Sequence, residues 1–213
     1  MRSGLSALRS VPAELEAVFQ EDHDIMAKSI RQQILISGIG GQGVLFVTRL
    51  LAEAAIARGL PVFTCETHGM AQRGGTVVSH LKVGEFFSPL IRAGQADGML
   101  VLKSENLAQH GVFLKPGGWA VVNAGAKEPL VLPGTGFTVD ADGLAQTTGN
   151  VKSLNLIILG FALAVAQKTK KDSGRLFCTL ADIENVVESN FGKKGKQAAA
   201  FVQAIKAGYE ALT

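Results

Sequence analysis

Hydrophobic positions along the chain switch between two spacings. Ile34-Leu35-Ile36-Ser37 is a short, nearly continuous apolar run, as expected of a strand covered on both faces. From Val44 to Arg58 apolar residues recur at helical spacing, and Gly59 ends the run. Pro61 to Cys65 reads as a second strand. That β-α-β succession predicts parallel strands joined by a right-handed crossover. Thr76 to Val83 is the next predicted strand, followed by a loop through Pro89 in which Ser88-Pro89 marks a turn. Gly98–Leu102 predicts a strand, Ser104–Leu114 a helix and Trp119–Asn123 a strand. Pro129–Leu132 and Phe137–Asp140 are short segments expected at the far side of the sheet. After Gly149 the pattern is helical, over Leu154–Lys168, Leu180–Asn190 and Lys194–Leu212. Thr179 and Asp182 have the spacing of a capping box at the second of these helices. No internal repeat is visible. The expected fold is α/β, a doubly wound, mostly parallel sheet with a helical C-terminal third.

Residues 1–29 fall outside this pattern. They are polar and end in the charged stretch Gln20-Glu21-Asp22-His23-Asp24, with a short amphipathic helix possible over 13–20. Met26 is a candidate start. The expected organisation is a loose N-terminal extension over 1–29 and one domain over 30–213, a length that buries a full core. At 47% hydrophobic and 18% charged residues, the chain reads as a globular protein. Its positive mean hydropathy fits either a sheet buried on both faces or apolar surface covered by a partner.

Charge and cysteine content narrow the function. The net charge of +3 comes with two C-terminal basic clusters, Lys168, Lys170, Lys171 and Arg175, then Lys193, Lys194 and Lys196. Neither is interleaved with aromatics, so no nucleic-acid partner is expected. Two cysteines, Cys65 and Cys178, cannot supply the roughly four thiolates of an iron–sulfur cluster or zinc ribbon. The start lacks the apolar stretch of a signal peptide. The longest apolar run, Leu154 to Ala166, falls short of the ~20 residues of a membrane span, so a cytoplasmic location is expected.

The candidate chemistry begins at Gly38-Ile39-Gly40-Gly41-Gln42-Gly43, a G-x-G-x-x-G that follows a strand and opens a helix. In that Rossmann-like context one glycine allows the tight turn, the second lets a phosphate reach the backbone, and the third allows close helix–strand packing. Gly41 adds another position without a side chain, Gln42 offers an amide donor, and the helix start favours an anion. Glu66 lies roughly 20 residues further on, where a ribose-binding acid would stand in a dinucleotide site. A tight turn without a ligand is the alternative. Directly after Glu66, where a dinucleotide domain has a helix, comes a second glycine-rich loop, Thr67-His68-Gly69-Met70-Ala71-Gln72-Arg73-Gly74-Gly75.

GIGGQGV at 38–44, ETHGMAQRGGTVVSH at 66–80, SPLI at 88–91, LKPGGWAVVN at 114–123 and KSLNLIILG at 152–160 occur together in this order. Over residues 33 to about 210 the chain thereby resembles the gamma-type domain of 2-oxoacid:ferredoxin oxidoreductases, and most closely the indolepyruvate:ferredoxin oxidoreductase beta subunits. The resemblance implies oxidative decarboxylation of a 2-oxoacid, indolepyruvate or another aryl pyruvate, with coenzyme A, giving acyl-CoA, carbon dioxide and reduced ferredoxin. Thiamine diphosphate and iron–sulfur clusters are then expected in a large alpha-type partner subunit, since this chain has neither a GDG motif nor cluster cysteines. The resemblance further implies that this domain helps hold coenzyme A. Gly38, Gly40, Gly41, Gln42, Gly43, Glu66, Gln72 and Arg73 are the candidate binding residues, and no metal site is expected. The chain departs from the family at Lys103, where an acidic residue is usual, at Gly98 within a strand, and in residues 1–29, which have no counterpart.

Each candidate has a plainer role beside the chemical one. Arg73 can clamp a phosphate or carboxylate, or pair with Glu66 to shape the loop. His68 and Gln72 can face the partner's active site or simply hold the loop, and only His68 and Arg73 are candidates for catalysis. His80 and His110, on a strand and a helix, read as structural. Cys65, ending a strand beside the glycine loop, reads as a buried inert thiol. Asn155 opens an apolar helix from which it can bond a neighbouring loop. A self-sufficient NAD-dependent dehydrogenase and a non-enzymatic nucleotide-binding or assembly module remain alternatives to the subunit reading.

Overall fold

A computed structural model describes residues 30–68, 75–125, 131, 134–168, 176–192 and 195–212. The N-terminal extension therefore lies outside the described residues, as does Pro129–Leu132 apart from Val131. Six strands form one sheet: β1 (Gln32–Ile39), β2 (Val62–His68), β3 (Thr76–Val83), β4 (Ala96–Val101), β5 (Leu114–Asn123) and β6 (Thr135–Val139), in the order β2-β3-β1-β4-β5-β6. Five strands share one direction, and β3 is antiparallel to both of its neighbours. The β-α-β succession gives parallel strands as expected, β1 and β2, with one strand, β3, between them.

The helices are α1 (Val44–Ala57), α2 (Asn106–His110), α3 (Ala141–Thr147), α4 (Leu154–Lys168), α5 (Leu180–Phe191) and α6 (Lys196–Glu210). The helix expected over Ser104–Leu114 is much shorter, because a 3-10 turn at Gly111–Phe113 follows α2 and β5 already starts at Leu114. Helix α3 was not expected; Asp140 caps it by accepting from the Gly143 N–H at 2.8 Å. Thr179 and Asp182 form the capping box at α5. Among the described residues no helix is long and apolar enough to cross a membrane.

Alternation along the strands divides the core. Ile34, Ile36, Leu81, Leu100, Trp119 and Val121 face the large helical layer. Leu35, Val78, Met99, Val101, Ala120 and Val122 face the opposite side, where the cover is thin: α2, the 3-10 turn and the segment 84–95. Gly98 sits in β4 because the Trp119 indole lies over it, so a Cβ there would be 2.2 Å from Cζ2. Helix α4 is buried from Leu154 to Ala166, as an all-round apolar helix must be. It packs on α6 backbone to backbone. A Cβ on Gly160 would be 1.9 Å from the Ile205 carbonyl oxygen, and one on Gly208 would be 1.9 Å from that of Ile157.

Gly160→Ala tests this packing. Alanine improves helix propensity by about 1 kcal/mol, but overpacking costs roughly 1–3 kcal/mol, and here the obstacle is backbone that no rotamer relieves. The urea midpoint should fall, whereas Gly125→Ala, whose Cβ meets nothing within 4 Å, should leave it unchanged. Equal midpoints for both variants would show that α4 and α6 separate freely.

Candidate functional site

The chain leaves β1 into α1 on one face of the sheet and leaves β4 into α2 on the other. Adjacent parallel strands that diverge in this way open a crevice at their C-terminal ends, which is where α/β sheets bind ligands. The glycine loop forms one wall of that crevice and Leu102 to Asn106 the other. Polar bonds fasten the walls together. The Leu102 N–H donates to the Ser37 carbonyl at 2.7 Å, extending the β1–β4 pairing. Asn106 Nδ2 donates to the Gly38 carbonyl at 2.9 Å and to Ser37 Oγ at 3.1 Å. Ser37 Oγ also bonds His110 Nδ1 at 2.7 Å. Asn123 Nδ2 donates to the Leu102 carbonyl at 3.2 Å and to Asp142 at 2.8 Å, while its Oδ1 accepts from the Ala141 N–H at 3.0 Å.

The loop glycines differ in what they do. A Cβ at Gly38 would be 2.8 Å from Val44 Cγ2 and 2.9 Å from Gln42 Oε1, so Gly38 serves packing. Gly40 does not take up a left-handed conformation, and its N–H donates to the Gly75 carbonyl at 3.0 Å instead of facing outward. Gly41 has φ +96°, and a Cβ there would meet nothing within 4 Å. Gly43 has φ +80°, and a Cβ would be 2.2 Å from Asn155 Nδ2, which donates to the Gly43 carbonyl at 3.3 Å. Gln42 folds back onto the loop: its Oε1 accepts from the Ile39 N–H at 2.9 Å and its Nε2 donates to the Leu102 carbonyl at 3.3 Å.

Helix α1 starts at Gly43 with no side-chain cap and no acidic residue in its first turn. Its first N–H groups and the positive end of its dipole therefore point at the crevice, unanswered by any side chain among the described residues. Lys103 stands at the same edge, paired with Glu105 at 3.0 Å. The Glu105 backbone N–H and the Lys103 ammonium hold that carboxyl below its usual range.

Glu66 is placed differently from a dinucleotide-site acid. It is exposed on the outermost strand opposite Ser79, with all of β3 between it and β1. Two strand spacings amount to about 10 Å, too far for the acid that normally stands on the strand next to the loop. The β2–β3 hairpin nevertheless closes at the same edge of the sheet as the glycine loop, and the Gly40–Gly75 bond ties its end there. Gln72 and Arg73 lie outside the described residues, as does the side chain of His68. Cys65 is half-buried and level with His80 and Leu35, below the loop and not beside it. The fully buried thiol is Cys178, whose pKa burial pushes up.

The residues that sequence reasoning passed over are Ser37, Asn106 and Asn123. Their signal was present: single polar residues at the C-terminal ends of apolar strands or in the turn just after, the edge where such sheets bind ligands. Two clefts in the helical layer, of about 400 Å³ near Glu53, Arg58 and Asp182 and about 520 Å³ near Leu163, Cys178 and Tyr209, include no residue of the glycine loop.

His80 and His110 are buried, and burial lowers the pKa of both below the ordinary 6.5; Lys82 and His110 lower that of His80 further. His80 Nδ1 accepts from the Ile91 N–H at 3.3 Å, which requires the neutral ring. As pH falls below 6.5 the unfolded chain takes up protons that the folded chain resists, so stability declines towards acid. The urea midpoint should be lower at about pH 5.5 than at about pH 7.5. His110→Gln, which cannot titrate, should flatten part of that slope, and a His110→Gln profile as steep as the parent's would count against a neutral buried His110.

Residues 33–211 match the profile of the pyruvate ferredoxin/flavodoxin oxidoreductase family. Indolepyruvate oxidoreductase subunit IorB of Archaeoglobus fulgidus is 33% identical over 151 residues, which span 62% of this chain and 75% of that one. The IorB subunit of Thermococcus kodakarensis is 30% identical over 149 residues, 60% of this chain and 74% of that one. The gamma subunit of a keto/oxoacid ferredoxin oxidoreductase from Geobacter sulfurreducens superposes with a TM-score of 0.63 at 23% identity, covering 84% of this chain and 97% of that one. A 2-oxoglutarate:ferredoxin oxidoreductase from Magnetococcus marinus, solved with 2-oxoglutarate, coenzyme A and succinyl-CoA bound, gives a TM-score of 0.66 at 24% identity. That match covers 86% of this chain but only 32% of the larger one. At these identities the two structures establish the shared fold.

Proposed function

The chain belongs to the pyruvate ferredoxin/flavodoxin oxidoreductase family, and from that premise we propose that it is the small subunit of a 2-oxoacid:ferredoxin oxidoreductase acting on indolepyruvate or a related aryl pyruvate. The names of its curated relatives support the substrate class. In the complete reaction the 2-oxoacid loses carbon dioxide, the acyl group passes to the coenzyme A sulfur, and the electron pair released goes to ferredoxin. A large alpha-type partner subunit holds the thiamine diphosphate and the iron–sulfur clusters, because two cysteines cannot ligate a cluster. Thiamine diphosphate supplies the carbanion stabilisation that decarboxylation requires. The complex works in the cytoplasm.

Within this complex the chain positions coenzyme A. The observation that carries this assignment is the uncapped start of α1 beside Gly41, where open space meets a backbone without a side chain. Unsatisfied N–H groups at a helix start favour a pyrophosphate. Gly41 and Gly43 present the backbone, Gly38 and Gly40 shape and anchor the loop, and Gln42 keeps it closed. Gln72 and Arg73, on the second glycine-rich loop, and Glu66 and His68, on the strand that leads into it, are further candidates for holding the coenzyme or facing the partner, on the strength of the family resemblance. With the thiamine diphosphate and the clusters in the partner, turnover requires the assembled complex.

Gly41→Ala in the reconstituted complex separates binding from chemistry. The methyl group enters the space left for phosphate and forces a non-glycine residue to φ near +96°. Coenzyme A affinity should weaken at least tenfold, about 1.4 kcal/mol, while single-turnover release of carbon dioxide stays unchanged and the complex elutes normally. Normal coenzyme A binding by the assembled variant would reduce the loop to a structural turn. Loss of decarboxylation itself would place it in the partner's site.

A further inference from the structure

We propose that the surface around Phe86, on the thinly covered face of the sheet, docks a segment of the large partner subunit that presents carboxylates flanked by apolar side chains. The proposal rests on the subunit reading above. Lys82, on β3, is only 6% exposed, and a lysine is almost never buried without an anionic partner. Its ammonium lies 5.1 Å from the centre of the Phe86 ring, and the Arg31 guanidinium lies 4.5 Å from the same centre. Arg92 is close enough that, after burial itself, it is the main influence lowering the Lys82 pKa, followed by Arg31. His80, next along the same face, is held neutral.

Two cations therefore gather around one ring, with Arg92 near enough to act on one of them. Among the described residues no carboxylate on the flanking elements answers them. Asp97 is engaged by Lys115 and by the Gln33 N–H at 2.7 Å, and exposed Glu85 forms no ion pair with any of the three. Around this charge lies uncovered apolar surface. Phe63 pairs directly with Lys82 across the β2–β3 register and is 40% exposed, Phe87 is fully exposed, and Leu90 is 48% exposed. The surface is held in place. Ile91 is bonded to His80, and Gly84, with φ +101°, lets the chain pass where a Cβ would be 2.0 Å from the Ile30 carbonyl oxygen. The neighbouring β2 is an open sheet edge, a further invitation to pairing.

Aromatic and arginine side chains together are what protein interfaces concentrate at their centres. A free phosphate would satisfy the cations but leave Phe63, Phe87 and Leu90 in water. A carboxylate-bearing polypeptide with apolar neighbours satisfies both. It would also let Lys82 stay charged under cover, since a paired ammonium in low dielectric keeps its proton.

The test is assembly of the full chain, co-expressed with the large subunit, at several salt concentrations. Three variants are compared with the parent: Arg31→Glu with Arg92→Glu, Phe87→Ser, and a chain starting at Met26. All three altered residues are exposed, so melting temperatures should stay at the parent value. The charge-reversal and Phe87→Ser variants should each weaken assembly at least tenfold, and the charge reversal should also abolish its salt dependence. Parent-like assembly by both variants would overturn the docking proposal while leaving the subunit reading intact. Failure of the parent to assemble would overturn the subunit reading and the proposal with it. Inorganic phosphate raising the melting temperature of the parent but not of the charge reversal would assign the surface to a small anion. A large loss of melting temperature on starting at Met26, absent in the charge-reversed chain, would assign it to the acidic residues 21–24.

Discussion

How closely helix α4 can approach its surroundings determines most of what the glycine loop can be. The helix is apolar on every side, so it is stable only when covered on every side. Glycines supply that cover at the tightest points. Gly160 and Gly208 bring α4 and α6 into backbone contact, and Gly43 lets the first turn of α4 reach the loop. There Asn155, itself buried, donates to the Gly43 carbonyl across 112 positions of sequence. The net worth of such a bond is about 1 kcal/mol, but an orphaned buried amide would cost more than that. Gly43 thus answers two demands at once: a left-handed backbone at the helix start and room for the asparagine.

The crevice is fixed from the other side by a separate set of polar groups. Ser37 Oγ bonds both Asn106 and His110 beneath the Gly38 carbonyl, and Gln42 and Asn123 both donate to the carbonyl of Leu102. What stays open is the start of α1 and the space beside Gly41. A ligand phosphate entering there meets amides already oriented and pays little for ordering them.

How much of this was legible follows from what is local. The glycine loop, α1 and the α5 capping box depend on neighbours a few residues away, and their patterns were plain. The order of strands depends on partners far apart. Nothing in Thr76–Val83 says that it pairs with β1 on one side and β2 on the other, so the spacing of Glu66 from the glycine loop read as that of a dinucleotide site although a strand lies between them. Gly98 looked misplaced in a strand until the Trp119 ring was seen to occupy the space of its side chain. Helix α3 escaped notice because its seven residues carry too few apolar positions to show a period, although the Asp140 cap was there to be read. The candidates on the second glycine-rich loop rest on resemblance to relatives, with Gln72 and Arg73 outside the described residues.

The inserted strand also explains why the chain departs from a dinucleotide domain at that loop. If β2 sat beside β1, the chain leaving it would need a crossover to the far end of the sheet before forming another parallel strand. With β3 antiparallel, a short connection suffices, and it turns at the C-terminal edge where the glycine loop already stands. One topological change therefore moves a carboxylate away from the glycine loop and brings Gly75, the end of the second glycine-rich segment, against it. The same reversal carries the end of β3, with Lys82, to the opposite edge of the sheet, beneath Phe86. The strand that sets Glu66 away from the glycine loop thus also holds the two surfaces proposed above, the loop for a coenzyme and the Phe86 surface for a partner, at opposite edges of the sheet.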